Sequence, residues 1–341
     1  MPTVSIIVPC LNEEKNITRL LDALYRQTYP ISETEVIISD GNSQDRTLDK
    51  IREWHDAHPD LALQIVSNPK RIIPAALNSA LEASSGIYII RLDAHSIPAP
   101  DYVERCVRLL EEGKAENVGG RWEIQPGADT WVARSIANAA SSPLGAGDAK
   151  YRFSETASFV DTVPYGAYRK ETLTALGGYD ESLPINEDYD LNVRIRRNGG
   201  KIWFDPDIRC IYFSRTTFRG LAKQYWRYGY WKLRMLKKDP KSLRLRQLIP
   251  PLFVFSLLFF AIGIFFSHAF LNVLLLELIV YIAVLLFAGI RIAGKEDDLT
   301  QLIGLPIALA IMHFSWGSGF IWSLIKLIFR SEQESETGSH E

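Results

Sequence analysis

The sequence predicts an α/β domain built on a mostly parallel sheet, followed by a C-terminal helical membrane region. Two observations predict it. Short Val/Ile-rich runs alternate with amphipathic helical patterns through the first third of the chain, as in a parallel sheet covered on both faces. From about residue 248 to 330 the chain is almost free of charge, although its 341 residues are 47% hydrophobic overall and carry a formal net charge of −2. That near-neutral balance argues against a nucleic-acid partner, which calls for a basic surplus.

The elements follow in order. VSIIVPC (4–10) opens the sheet and leads into LNEEKNITRLLDALYRQ, whose Ile17, Leu20, Leu21 and Leu24 form one apolar stripe. EVIISD (35–40) precedes SQDRTLDKIREWHDAH, QIVSN (64–68) precedes IPAALNSALEAS, and IYIIRLDAH (87–95) precedes APDYVERCVRLLEEG. Ligands of such sheets bind beyond the carboxyl ends of the strands. The polar residues there are Asn12, Glu13, Asp40, Asp93 and His95. PCLNEE contains no glycine, which excludes a GxGxxG dinucleotide site after the first strand.

Asp40 and Asp93, each ending a strand, serve either as turn caps or as ligand contacts. Asp93 and His95 stand at i and i+2, where both can reach one ion or its bound phosphates. Mg²⁺ or Mn²⁺ bridging a diphosphate takes one or two protein carboxylates and completes its shell from phosphate and water; an imidazole leans the choice toward Mn²⁺. A helix cap and a tautomer-fixed structural contact are the alternatives for His95.

LPINEDYDLNVRIRRNGG (183–200) reads as a helix with Glu187, Asp188 and Asp190 in its first turn and arginines in its last. Asp190 and Arg194, four apart, are expected to pair on an exposed face. Glu187 and Asp188 instead flank Leu191 and Ile195, the inward stripe, and a carboxylate there needs a partner or a role. Cys10, Cys106 and Cys210 are odd in number and far apart, fitting a reducing cytoplasm and excluding a cysteine zinc site. No signal peptide is expected, because the chain opens on a strand.

Three uncharged or nearly uncharged stretches are long enough to span a bilayer: 248–267, 272–290 (interrupted by Glu277) and 302–329, which carries His313, Gly317 and Gly319. Arg227, Lys232, Arg234, Lys237, Lys238, Lys241, Arg244 and Arg246 precede the first, which places that side in the cytoplasm. Arg291 and Lys295 in RIAGKEDDLTQ suit a return to it. Lys326 and Arg330 would then end outside, so a re-entrant third segment is the alternative. FRGLAKQYWRYGYWKLRMLKK mixes aromatic and basic residues like a helix lying at the membrane interface.

With these residues in view, positions 3 to about 235 resemble the family 2 glycosyltransferases, inverting enzymes of GT-A fold that use nucleotide-diphosphate sugars. SIIVPCLNEEKNI looks like the family's opening strand and Pro-x-x-Asn-Glu turn, and SDGNSQDRT like the second-strand motif whose aspartate, here Asp40, contacts the base. PAALNSALEASSGIYIIRLDAHS resembles the segment ending in the DxD metal motif, here D-x-H. NEDYDL looks like the Glu-Asp motif whose aspartate, here Asp188, is the catalytic base, with Glu187 beside the acceptor. KQYWRYG is similar to the QxxRW signature, with Tyr228 in place of tryptophan. Within the family the chain is most similar to bacterial exopolysaccharide glucosyltransferases of the succinoglycan type, which share D-x-H, Pro-Leu-Gly-x-Gly (Pro143 to Gly147) and three C-terminal membrane segments.

The resemblance implies a GT-A domain at 1–215, an interfacial region at 216–247, membrane segments within 248–330 and a polar tail at 331–341. Pro9, Asn12, Glu13, Asp40, Arg71, Asp93, Gln224 and Arg227 fall on the sugar-nucleotide side, with Arg227 facing the leaving diphosphate. Asp93 and His95 would hold a divalent metal, Mn²⁺ or Mg²⁺. The expected reaction moves glucose from a UDP-sugar to a polyprenyl-diphosphate-linked saccharide, in contact with membrane lipid. The protein is expected to be multi-pass in the inner or plasma membrane, with its catalytic domain cytoplasmic. A processive polysaccharide synthase and a non-catalytic sugar-nucleotide-binding scaffold are the rival readings.

Overall fold

The structure, a computed structural model, describes residues 2–337. The chain forms two compact units. One holds Ala149–Phe213 and the chain up to Ile124; the other holds Gln125–Asp148 and the chain from Ser214 onward.

The first unit is a mixed sheet between two helical layers. Its strands are β1 (Val4–Cys10), β2 (Thr34–Asp40), β3 (Ala62–Ser67), β4 (Tyr88–Arg91), β5 (Ser96–Pro98), β6 (Asn117–Gln125), β7 (Ser158–Phe159), β8 (Ala167–Arg169) and β9 (Ile202–Phe213). They are ordered β3-β2-β1-β4-β8-β6-β9-β5, with β7 also on β9. The Val/Ile runs give the parallel half, β3-β2-β1-β4. Beyond β4 the sheet continues through antiparallel pairings of β8 with β4 and β6, and of β9 with β5 and β7.

Alternation along the central strands divides the core. Ile6, Val8, Val36, Ile38 and Ile90 face one layer, with α1 (Ile17–Tyr25), α2 (Thr47–Ala57) and α4 (Tyr102–Glu111) burying Leu20, Leu21, Ile51, Trp54 and Val103 against them. Ile7, Ile37 and Ile89 face the other, covered by α3 (Ile73–Ala83), α7 (Lys170–Ala175) and α8 (Glu187–Arg197) through Leu77, Leu173, Leu191 and Ile195. The stripe expected for the helix after the first run, Ile17, Leu20, Leu21 and Leu24, is buried as expected. The strand expected over 87–95 is shorter: β4 ends at Arg91, and Asp93 and His95 lie in the turn before β5. The backbone leaves the ladder there because the Ser96 N–H and hydroxyl both donate to the Asp93 carbonyl, at 3.0 and 2.7 Å.

The second unit contains α5 (Trp131–Ser141), α6 (Pro143–Ala146), α9 (Phe218–Lys238), α10 (Leu245–Gly263), α11 (His268–Glu296) and α12 (Gln301–Thr337). Leu245–Gly263, His268–Glu296 and Gln301–Phe329 are long and apolar enough to cross a membrane. The first ends at Gly263 rather than Ser267, because the Ser267 hydroxyl caps α11 by accepting from the Ala269 N–H at 3.2 Å. α12 is one continuous helix, without the internal turn a re-entrant segment needs. It also takes in the first residues of the polar tail; residues 338–341 of that tail lie outside the described residues.

Residues 125–148, read from sequence as part of one uninterrupted 1–215 domain, pack within this helical unit. Ile136 and Ala139 of α5 join a core with Leu221 and Tyr225 of α9, Leu285 of α11, and Leu305, Ala308, Leu309 and Met312 of α12. His313 of α12 donates or accepts through Nδ1 with the Tyr281 hydroxyl at 3.0 Å, and its Nε2 lies 2.8 Å from the Leu144 carbonyl of α6. Helices α9 and α12 meet at glycines. A Cβ at Gly229 would lie 2.1 Å from the Trp316 carbonyl oxygen, and one at Gly319 would lie 2.2 Å from that of Trp226.

Candidate active site

β2, β1 and β4 end side by side, with Cys10 in register with Asp40 and Ile7 with Arg91. The loops that continue these strands carry the expected site residues. Asn12 at 56° and Asn42 at 61° bend there through positive φ without glycine, as do Arg71 at 56° after β3, Tyr165 at 49° before β8 and Asn186 at 70° before α8. Such backbone is sparsely populated for bulky residues and persists where surrounding structure enforces it.

The centre of the site is Arg91, the last residue of β4, only 4% exposed. Its Nη2 donates to Asp93 Oδ1 at 2.8 Å and to Glu187 Oε1 at 3.3 Å, and its Nη1 donates to Asp188 Oδ2. The guanidinium also lies 5.4 Å from the Tyr165 ring centroid. Burial disfavours its charge, but Asp93 and Glu187 more than offset that and keep it firmly protonated. Glu187 is buried as the helix pattern implied, and burial raises its carboxyl above the usual range while Arg91 pulls it back. Asp188 is tied by one oxygen. Its Oδ1 is buried and has no hydrogen-bond partner among the described residues.

Asp190 departs from expectation. It does pair with Arg194, at 2.7 Å, but on a covered face: its side chain is only 9% exposed. Arg194 also donates to the Leu176 carbonyl at 2.9 Å, so the pair is clamped under the turn after α7 rather than left in solvent.

The His95 ring is oriented by a carboxylate, with Nδ1 2.9 Å from Glu13 Oε1. Glu13 is fixed in turn, since its Oε2 accepts from Asn16 Nδ2 at 2.8 Å and its N–H donates to the Thr47 hydroxyl at 2.7 Å. A histidine whose Nδ1–H donates to a carboxylate presents Nε2 as the basic nitrogen, the usual arrangement around metal-binding imidazoles. Among the described residues no three His, Cys, Asp or Glu side chains form a ready-made cage. The donor set still fits a cation that bridges a diphosphate. Asp93 and His95 would supply two protein ligands, and three carboxylates facing one guanidinium leave the site with surplus negative charge.

Asp40 behaves as a turn residue. Its Oδ1 accepts from the Ser43 hydroxyl at 2.6 Å and its Oδ2 from the Ser43 N–H at 3.0 Å. Asn12 joins the same loop, donating from its N–H to Ser43 Oγ and accepting from the Gln44 N–H, both at 2.8 Å. Pro9 lies within β1, and Arg71 is exposed in the turn before α3. Gln224 and Arg227 belong to the second unit. Gln224 Nε2 donates to the Tyr228 hydroxyl at 2.9 Å, and Arg227 is exposed on α9.

The structure therefore gathers Glu13, Asp93, His95, Glu187 and Asp188 around one strand end and joins Asn12 to Asp40 through Ser43. Arg91 lies outside the motifs legible in the sequence. Its signal was present in IYIIRLDAH, where a lone charge interrupts a continuously apolar strand and so requires buried partners.

The fold is that of the GT-A glycosyltransferases. The mannosyltransferase PcManGT from Pyrobaculum calidifontis, solved with GDP-Man and Mn²⁺, matches with a TM-score of 0.58 at 22% identity, over 91% of this chain and 87% of that one. TarS from S. aureus, solved with UDP-GlcNAc, matches with a TM-score of 0.51 at 20% identity, over 94% and 90%. Within that class, the glycosyl transferase family 2 model matches residues 5–177, about half of the chain, and the chain belongs to that family. Its relatives include the succinoglycan biosynthesis protein ExoA of Rhizobium meliloti (strain 1021), 32% identical over 92% of this chain and 93% of that protein. Another is the dolichyl N-acetyl-alpha-D-glucosaminyl phosphate 3-beta-D-2,3-diacetamido-2,3-dideoxy-beta-D-glucuronosyltransferase of Methanococcus voltae, 29% identical over 96% and 98%. The protein is a glycosyltransferase with membrane-type helices at its C-terminus.

Proposed function

We propose that this glycosyltransferase transfers glucose from a UDP-sugar to a polyprenyl-diphosphate-linked saccharide, with inversion at the anomeric carbon, on the cytoplasmic face of the inner or plasma membrane. The observation that carries the mechanism is the half-satisfied Asp188 carboxylate, with Oδ2 on Arg91 and Oδ1 buried and unpartnered. An acceptor hydroxyl bonded to Oδ1 gives up its proton as its oxygen attacks the anomeric carbon from the face opposite the diphosphate. The sugar–phosphate bond breaks, and the nucleoside diphosphate leaves with the bonding electrons. Glu187, on the same helical turn, lines the acceptor side. A divalent cation, Mn²⁺ or Mg²⁺, held by Asp93 and His95 would neutralise charge on the departing diphosphate. Arg227 is assigned to the same diphosphate.

The lipid-linked acceptor is supported by the Methanococcus relative, whose name specifies a dolichyl-phosphate sugar, and by the three apolar helices. The aromatic and basic composition of α9 suits a helix at headgroup level. The deciding experiment uses the full chain in lipid nanodiscs with membrane lipid extract. UDP-Glc, UDP-Gal, UDP-GlcNAc and GDP-Man are compared by nucleoside-diphosphate release, and the product anomer is read by NMR. Asp188→Asn should lower kcat by a factor on the order of 10² to 10⁴, the usual contribution of a general base, with donor affinity nearly unchanged. A retained anomeric configuration, or wild-type turnover by Asp188→Asn, overturns this reading.

A further inference from the structure

We infer that Arg91 is a positioning residue that couples the donor and acceptor halves of the site, holding Asp188 for proton transfer while competing with the cation for Asp93. The inference rests on the reading of Asp188 as the base. Its ground is geometric. One buried guanidinium touches the metal-side carboxylate through Nη2 and the base through Nη1, with Glu187 sharing Nη2.

The two arms of the fork do different work. Nη1 occupies Asp188 Oδ2, which leaves Oδ1 as the oxygen without a partner among the described residues. The two oxygens of an ionised carboxylate are equivalent, so this contact fixes the plane and position of the group, with one oxygen on the guanidinium and one left over. Nη2 sits on Asp93 Oδ1 at 2.8 Å, where its charge opposes any cation drawing on the same carboxylate. The guanidinium is held by more than its ion pairs. The Arg91 backbone N–H donates to the Gly166 carbonyl at 3.1 Å, which fixes the root of the side chain, and Tyr165, itself at a positive φ of 49°, places its ring beside the guanidinium. A lysine keeps the charge but offers a single ammonium, which cannot hold three carboxylates in this planar arrangement.

The consequence is a pair of opposite effects. Weakening the fork should free Asp93 for the cation and misplace Asp188. Nucleotide binding in the presence of the cation should tighten while turnover falls, whereas simple loss of structure would weaken both.

The test uses the full-length protein in nanodiscs, with Arg91→Lys and Arg91→Gln checked for folding by thermal melting. Calorimetry measures UDP binding (GDP if the donor panel selects GDP-Man) at fixed Mn²⁺, and turnover uses the active donor with lipid extract. Arg91→Lys is expected to lower kcat about 10- to 100-fold with little change in donor KM. In the Asp188→Asn background the same change should cost less than threefold, because the residue it positions has lost its function. Arg91→Gln, if folded, should bind the nucleotide with Mn²⁺ more tightly than wild type; if it does not fold, the Arg91→Lys cycle decides alone. Wild-type kcat in Arg91→Lys, an additive loss in the double variant, or weakened Mn²⁺-dependent binding in a folded Arg91→Gln overturns the inference. If Asp188→Asn alone turns over normally, the base assignment fails first and this inference falls with it, an outcome separable from failure of Arg91.

Discussion

Glu13 and His95 face each other across the ends of β1 and β4, carboxylate Oε1 to imidazole Nδ1 at 2.9 Å. The contact joins the Asn-Glu turn to the D-x-H turn and sets the direction in which the imidazole can bind. Glu13→Gln keeps the shape but weakens that orientation. It should reduce Mn²⁺ affinity about 10- to 100-fold, the usual cost of losing an outer-sphere partner. His95→Ala should lose more. Mn²⁺ titration followed by electron paramagnetic resonance with UDP present checks both, and unchanged affinity in the two variants removes His95 from the cation site.

Asp190 and Asp188 lie two residues apart and should fail in different ways. Because Asp190 is covered and paired with Arg194, Asp190→Asn leaves Arg194 partly unpaired and should cost about 1–3 kcal/mol of stability. The kcat of the folded fraction should stay within a fewfold of wild type. Melting temperature and turnover measured on one preparation separate the effects. A stable but inactive Asp190→Asn would mean that the helix presents a different carboxylate to the acceptor.

The crossing of α9 and α12 depends on missing side chains. Gly229→Ala and Gly319→Ala each drive a methyl into a facing backbone carbonyl, and each should destabilise the helical unit by about 1–3 kcal/mol. Gly294→Ala, where nothing among the described residues lies within 4 Å, serves as the control and should be neutral or mildly stabilising. Thermal melts in detergent give the comparison, and equal melting temperatures for all three would show that the crossing is not close-packed.

All three cysteines are buried. Burial first, then the carboxylates of Glu13, Asp40 and Asp45, push the Cys10 thiol far above its usual range, and burial does the same for Cys106 and Cys210. Thiolate is the reactive form, so native protein at pH 8 should take up maleimide at a small fraction of the rate seen in denaturant. Rapid labelling of any of the three in the folded state contradicts this burial.

That silence makes topology measurable. A cysteine replacing Lys295, near the end of α11, should resist a membrane-impermeant maleimide in intact cells and react after permeabilisation. Labelling before permeabilisation would reverse the orientation assigned from the basic residues ahead of α10.

What the sequence disclosed follows from the range of each signal. The parallel half of the sheet was legible because β1, β2 and β4 bury both faces and therefore read as unbroken Val/Ile runs. β8 is three residues long and β7 two, too short for any periodicity, and their places depend on partners distant in the chain. Glu187 was recognisable as buried from its phase relative to Leu191, whereas Asp190 was misjudged because the cover over it comes from the turn at Leu176. Arg91 could have been flagged as an anomaly in an apolar strand, but its three partners could be named only once α8 was placed beside β4. α5 reads like a helix of the soluble domain, since Ile136 and Ala139 would suit either core.

That placement of α5 bears on how the polypeptide is made. Its apolar partners on α12, Leu305, Ala308, Leu309 and Met312, leave the ribosome long after α5 itself. Until they arrive, Ile136 and Ala139 of α5 lack the α12 side of their core, a state open to aggregation or chaperone capture. A chain ended near residue 215 would hold it in that state permanently. Soluble fragments designed on the catalytic sheet alone should therefore delete or replace Gln125–Asp148, whereas the intact protein completes this helical unit only when its last helix has been synthesised.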